Sequence, residues 1–307
     1  MKKVFNRKST SFFAAILISF AASIESVRAQ NIFLNHSHQL NYSNGINPSL
    51  SLLTPKGSAS FVGRQQWAGM EGAPVAYVGN AHFGLEKFGA TAGISLRQDR
   101  VGVDKNSEVS VFFAKSIRIS EKNFVGLSLN AGITNFKANY SQLDGMDPSF
   151  RDDINETDAL IGLGVVYYNP DLFYVGVSLP RITNGGVGTF GDSRYNFENQ
   201  YFLNAGYLWA LGETLHLRPS TVVSYTKTGG VQADLAAMVF AKSMFGVGVG
   251  VKTEGDVSGM LRVNFSGLGV GYSYQVNQKN QPLNRQINNS THEIGLSYNF
   301  GGIQKLL

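Results

Sequence analysis

The chain holds few groups that could do chemistry, and each fails on its surroundings. Five His and no Cys leave out thiolate nucleophiles and sulfur-ligated zinc. His36 and His38 stand two apart, a spacing that could grip a metal from a strand, but no carboxylate lies near them in sequence. His82, His216 and His292 each sit alone within or at the start of a strand-like segment, which suits hydrogen bonding to neighbours better than ligation. A membrane-embedded hydrolase would need a Ser–His pair with an orienting polar group on adjacent strands, and no motif marks one. Gly186-Val187-Gly188-Thr189-Phe190-Gly191 spells a dinucleotide pattern, yet Asp192-Ser193-Arg194 follows where the fingerprint requires a helix whose N-terminus meets the pyrophosphate. Asp144, Asp147, Asp152, Asp153, Glu156 and Asp158 supply oxygens enough for calcium, but not in the spacing and with the central Gly that a calcium loop needs. They read as a solvated loop. The expectation is a protein with no catalytic constellation, no metal and no cofactor.

The formal charge of +5 would suit a polyanion, but Lys2, Lys3, Arg7, Lys8 and Arg28 all fall within the first 29 residues, together with one acid, Glu25. Without that stretch 21 basic residues face 20 acidic ones. No footprint for nucleic acid remains. The same stretch has the three parts of a secretory signal: basic residues 2–8, an apolar core over 12–22, and Val27-Arg28-Ala29 before Gln30. Its apolar core is little more than half of the roughly 20 residues needed to span a bilayer, so residues 1–29 are expected to be a cleaved signal peptide.

What would position the remaining residues is a period of two. Leu127, Leu129, Ala131 and Ile133 alternate with Gly126, Ser128, Asn130, Gly132 and Thr134, and Val247, Val249 and Val251 alternate with Gly246, Gly248 and Gly250. The pattern returns in segments around residues 161, 173, 261 and 294. A soluble sandwich alternates too, but its outer face carries Lys, Glu and Asp; here the polar face is mostly Gly, Ser and Asn. Only 15% of the chain is charged, against roughly 25% in soluble proteins. Small polar side chains suit the lumen of a barrel whose other face meets lipid.

The fold expected is therefore all-β, an antiparallel transmembrane β-barrel of the outer-membrane type with about fourteen strands. The strands should begin near Ser58, Val75, Gly89, Ser107, Phe124, Ala159, Phe173, Tyr201, Leu215, Gln232, Phe245, Val257, Leu268 and Thr291. Residues 30–57 would precede the barrel, 58–300 form it and 301–307 follow as a tail. Short turns alternate with longer connections, of which 141–158, 181–200 and 277–290 are long, as in bacterial barrels whose turns are periplasmic and whose loops are extracellular. Trp67 closes an upward strand and Trp209 a downward one, both at a membrane–water boundary that favours amphipathic rings. Charges expected in the lumen are few, chiefly Arg64, Arg97, Arg218, Arg262, Glu108, Asp234 and Glu293, and form no porin-like ring. Part of the segment 30–57 is expected to fold up into the lumen as a plug.

Three pieces near the start of this region recur together: Ile46-Asn47-Pro48, then Arg64-Gln65-Gln66-Trp67-Ala68-Gly69-Met70-Glu71-Gly72-Ala73-Pro74, then Gln98-Asp99-Arg100-Val101-Gly102. In order and spacing the chain resembles the PorP/SprF family of type IX secretion system outer-membrane proteins, with Ser49-Leu50-Ser51 where that family often has a small-aromatic-small run. The resemblance implies a non-enzymatic barrel in the outer membrane of a gliding or secreting member of the Bacteroidetes. It implies partners as well: the C-terminal region of a secreted protein or adhesin, other type IX components and outer-membrane lipid. The residues it points to for partner binding are Arg64, Gln66, Trp67, Gly69, Gly72, Pro74 and Asp99. A channel or transporter for a small solute is the alternative, because fourteen strands fall between filled small barrels and open porins.

Overall fold

In the computed structural model the described residues are 43–143, 152–182, 199–277, 290–302 and 306–307. The signal segment 1–29, His36 and His38, Asp144 and Asp147, the glycine run 186–191, and the stretches 183–198 and 278–289 of the long connections lie outside them.

The alternating segments become one antiparallel sheet: β1 (Gly57–Gln66), β2 (Val75–Leu85), β3 (Ala90–Val101), β4 (Asp104–Arg118), β5 (Phe124–Ala138), β6 (Ile154–Asn169), β7 (Phe173–Ile182), β8 (Tyr201–Tyr207), β9 (Trp209–Ala210), β10 (Leu215–Thr226), β11 (Gly230–Ala241), β12 (Phe245–Lys252), β13 (Asp256–Phe265), β14 (Leu268–Asn277) and β15 (Ser290–Asn299). Segments β8 and β9 are two parts of one strand interrupted at Leu208, since both pair with β10. Each remaining strand pairs with its sequence neighbours, and β1 pairs with β15, so the sheet closes into a barrel of fourteen strands. Closure removes every sheet edge, the condition for strands to cross hydrocarbon. Among the described residues no helix is long and apolar enough to cross a membrane.

Burial follows the period of two. Leu127, Leu129, Val247, Val249, Leu261 and Ile294 point outward and are exposed, while Ser128, Asn130, Asn204, Asn264 and Ser297 point inward and are buried. The apolar surface stays outside because hydrocarbon, not water, is its solvent.

Strand starts agree with the alternation where the apolar belt begins, as at Val75, Phe124, Phe173, Tyr201, Leu215, Phe245 and Leu268. Two strands start three or more residues earlier than expected. β4 begins at Asp104 rather than Ser107, and β6 at Ile154 rather than Ala159, pairing as far as Ala138↔Ile154. Glu156 and Asp158 are thus strand residues and not part of a solvated loop. The ladder continues beyond the belt because backbone pairing does not require apolar side chains, and above the membrane polar ones are solvated.

Before β1 a helical turn (Ser43–Ile46) and a 3-10 helix (Pro48–Leu53) lie inside the barrel wall. Every residue from Ile46 to Leu53 is buried. Leu50, Leu52 and Leu53 form a core with Ala114, Val166 and Tyr168 of β4 and β6, and Ile46 packs on Phe202 and Val222 of β8 and β10. At the end of the chain Leu306 joins Met238, Phe240 and Met260 of β11 and β13.

Candidate functional site

The residues pointed to for partner binding divide into an inward pair and a rim loop. Arg64 and Asp99 are aligned across three strands, Arg64 opposite Ala76 and Ala76 opposite Asp99. Both are buried inside the barrel, at 5% and 2% exposure. Two strand spacings put their backbones about 10 Å apart. Asp99 takes Arg97 Nε at 2.7 Å. On its other side Arg64 stands opposite Glu293 of β15, with Asp256, Asp234 and Glu254 within reach of its charge.

These groups belong to a larger set near the end that carries the long connections. Arg181 of β7 pairs with Glu108 of β4, and Gln275 Nε2 donates to Asp256 Oδ2 at 2.6 Å. Lumen charge is therefore more plentiful and more concentrated than expected from the sequence. Arg181, Lys252 and Asp256 were not recognisable because their strand registers place them inward above the alternating apolar core, and Glu254 because it lies in the turn between β12 and β13.

The rim loop, 67–74, is held at both ends. Gln66 N donates to the Pro74 carbonyl at 2.9 Å, and Ala68 N to the Ser290 carbonyl at 3.3 Å over the neighbouring β15. Gly102 N donates to the Gly72 carbonyl at 2.9 Å, so the second and third sequence pieces meet through the β2–β3 pairing. Gly69, Gly72 and Gly102 have φ of 95°, 72° and 56°, a region glycine enters without steric cost. Trp67 enters it too, at φ 50°, at the cost usual for a side chain there. Gln66 and Pro74 are buried under the loop, Trp67 is half-buried, and Gly69, Met70, Glu71 and Gly72 are exposed at its tip.

The first piece belongs to the segment expected to enter the lumen, and what the sequence did not give is the bonding of Asn47 there. Asn47 is fully buried, and its Nδ2 donates to the carbonyls of Val165 and Val177 at 3.3 and 3.5 Å. Its Oδ1 caps the 3-10 helix by accepting from Ser49 N and Ser49 Oγ at 3.2 and 2.6 Å. Ser178 Oγ donates to the Ile46 carbonyl at 2.7 Å, and Ser51 and Thr91 hydroxyls share a 2.6 Å bond. Glycines make the room: a Cβ on Gly164 would stand 2.3 Å from Asn47 Oδ1, one on Gly176 2.7 Å from Asn47 Nδ2, and one on Gly126 2.5 Å from a Leu52 methyl. The available signal was the coincidence of a polar Asn before Pro with strands whose inward positions are glycine.

A Ser–His pair does occur on adjacent strands, Ser58 Oγ with His82 Nδ1 at 3.4 Å. The other nitrogen, Nε2, meets the Thr54 hydroxyl and carbonyl at 3.0 and 3.1 Å. The triad's orienting carboxylate is replaced by the chain entering β1, so the pair ties that segment to the wall. His292 bonds the Tyr272 hydroxyl at 2.7 Å. In the lower lumen Arg218 Nη1 donates to the Leu306 carbonyl at 2.8 Å, and Arg262 to Asn264 and Ser297 at 2.8 and 3.2 Å. Among the described residues no cluster of His, Asp or Glu is suited to a metal.

A family model described as type IX secretion system membrane protein PorP/SprF matches residues 30–298. No curated protein sequence matches the chain. Among solved structures the chain is similar to CymD, a monoaromatic hydrocarbon channel, at 14% identity and a TM-score of 0.52, covering 85% of this chain and 92% of that one. It is also similar to the Acinetobacter baumannii outer membrane protein Omp33, at 9% identity and a TM-score of 0.47, with 81% and 99% covered. The likeness to CymD is one of fold, the outer-membrane β-barrel.

Proposed function

From the chain's membership of the PorP/SprF family of type IX secretion system membrane proteins, we propose that this barrel binds the C-terminal region of a secreted or surface-attached protein, such as a gliding adhesin, or another component of the secretion machinery. The protein is a β-barrel of the outer membrane. On this reading it is non-enzymatic, reaches its membrane through a cleaved signal peptide, and serves a gliding or secreting bacterium.

The observation that carries the reading is the built rim. The exposed tip at Gly69, Met70, Glu71 and Gly72 is backed by the bonds Gln66–Pro74 and Gly72–Gly102, so its shape is set before any partner arrives. A preformed surface spares the ordering cost that a loose loop would incur on binding. The buried chain at Ile46–Leu53 and Leu306, inside the barrel, favours a scaffold over an open conduit.

The test has two arms. Deletion of the gene should abolish surface display or secretion of one partner protein, and a Met70→Asp, Glu71→Lys variant that still folds should reproduce that loss. Purified protein in planar bilayers should give no steady conductance. Porin-like conductance together with normal surface display in the deletion strain would replace this reading with that of a solute channel.

A further inference from the structure

Independently of that reading, we infer that the outer wall between β6 and β10 carries a binding groove for one acyl chain of an outer-leaflet lipid. The wall is indented there. Pairing of β6 with β7 shifts register between Ile161 and Leu163, and pairing of β7 with β8 ends at Ser178↔Phe202. Beyond that point β7 turns inward: the Pro180 carbonyl accepts Asn130 Nδ2 of β5 at 2.9 Å, and Gly162 clears the path, since a Cβ there would lie 2.3 Å from the same carbonyl. Proline suits the place because it brings no N–H that the departing ladder would leave unpaired.

The inward turn leaves a cavity of about 450 Å³ on the outside, lined by Leu163, Val165, Val177, Leu179, Leu203 and Val223. Tyr201 and Tyr225, which face each other across β8 and β10 with ring centroids 6.1 Å apart, lie at its upper end. Its lining side chains belong to the outward set, with Leu163, Val177 and Leu203 at 50%, 51% and 41% exposure, so the medium in front of it is hydrocarbon. Water gains nothing by entering an apolar notch, and a void would forfeit the dispersion contacts of its lining. A lipid chain fills it. The position fixes which lipid: Tyr201 begins β8 and Tyr225 nearly ends β10 at the long-connection rim, where tyrosine rings mark the level of headgroups. The groove therefore descends from the outer-leaflet headgroup level, and its occupant enters as a chain whose headgroup stays beside the two tyrosines.

The full chain reconstituted in nanodiscs of a phospholipid with a diazirine in its acyl chain tests this, with adducts mapped by mass spectrometry. Labelling at Val177, Leu179 and Leu203 should exceed that at Val247, Val249 and Leu261, which are more exposed, by roughly threefold, a modest factor because lipid tails and Leu are equally apolar and only packing distinguishes the sites. Val223→Phe, or Leu179→Phe if the first fails to give the compact heat-modifiable band, should fill the groove and bring labelling down to the level of the rest of the belt. Labelling that simply follows exposure around the barrel would overturn the proposal. So would capture of a diazirine-bearing free fatty acid in the groove with no enrichment from the phospholipid.

Discussion

The side-chain amide of Asn47 occupies the space that any side chain on Gly164 would need, its Oδ1 2.3 Å from where that Cβ would be. Two residues far apart in sequence are therefore mutually specified, one by its hydrogen bonds and the other by having no side chain. Gly164→Ala should displace Asn47 at a cost of about 1–3 kcal/mol, the usual range for overpacking. In an Asn47→Ala background the same change should cost less, a coupling of about 0.5–3 kcal/mol. Protease sensitivity of residues 43–56 in the folded barrel reads the displacement directly, and additive effects of the two changes would show that the amide and the glycine are not in contact.

The inward and outward faces should respond differently to charge. Leu129→Arg puts a cation into hydrocarbon from a side chain that is 53% exposed, at about 2–4 kcal/mol at the midplane. Ser224→Arg places the same charge on the inner face of β10 and should leave folded yield near wild type. Asn130 is a poor inward control despite its position, because its amide holds the Pro180 carbonyl. Heat-modifiability gels compare the yields; equal losses would contradict the face assignment.

Arg64 and Glu293, opposite each other and 5% and 2% exposed, are each costly to leave alone. Arg64→Met removes a buried cation that, with Lys252, faces the carboxylates of Glu293, Asp256 and Asp234, and should cost up to about 3–5 kcal/mol. Adding Glu293→Gln should restore part of it. Urea unfolding from lipid vesicles, followed by Trp fluorescence, measures both; a double variant no more stable than the single would locate the cost elsewhere.

Gly102→Val forces a branched side chain to φ 56°, a strain of about 1–3 kcal/mol, and threatens the bond to Gly72. The barrel should still fold, because closure through β1 and β15 does not involve this turn. Partner display should fall. A strain carrying Gly102→Val with full display would mean that the rim's shape is not what the partner reads.

The sequence by itself determined the barrel. A period of two with an apolar face and a glycine, serine and asparagine face has one stable arrangement in lipid, and so the positions of Val75, Phe124, Phe173, Leu215 and Phe245 as strand starts were readable from side-chain polarity alone. Where polarity stops reporting on the backbone it failed: β4 and β6 run on through Asp104 and Ile154 because hydrogen bonds, not hydrophobicity, extend a strand above the membrane. The rim loop was legible as a motif, but that its Gly72 would bond Gly102 depended on the register of β2 with β3. Only the closed barrel could set Arg64 against Glu293, which lie at opposite ends of the chain and meet because β1 and β15 close the sheet. Only it could bring Asn47 to Gly164 and Gly176, or turn Pro180 inward to open a groove outside. Such contacts depend on barrel curvature and strand register, which a local pattern does not encode.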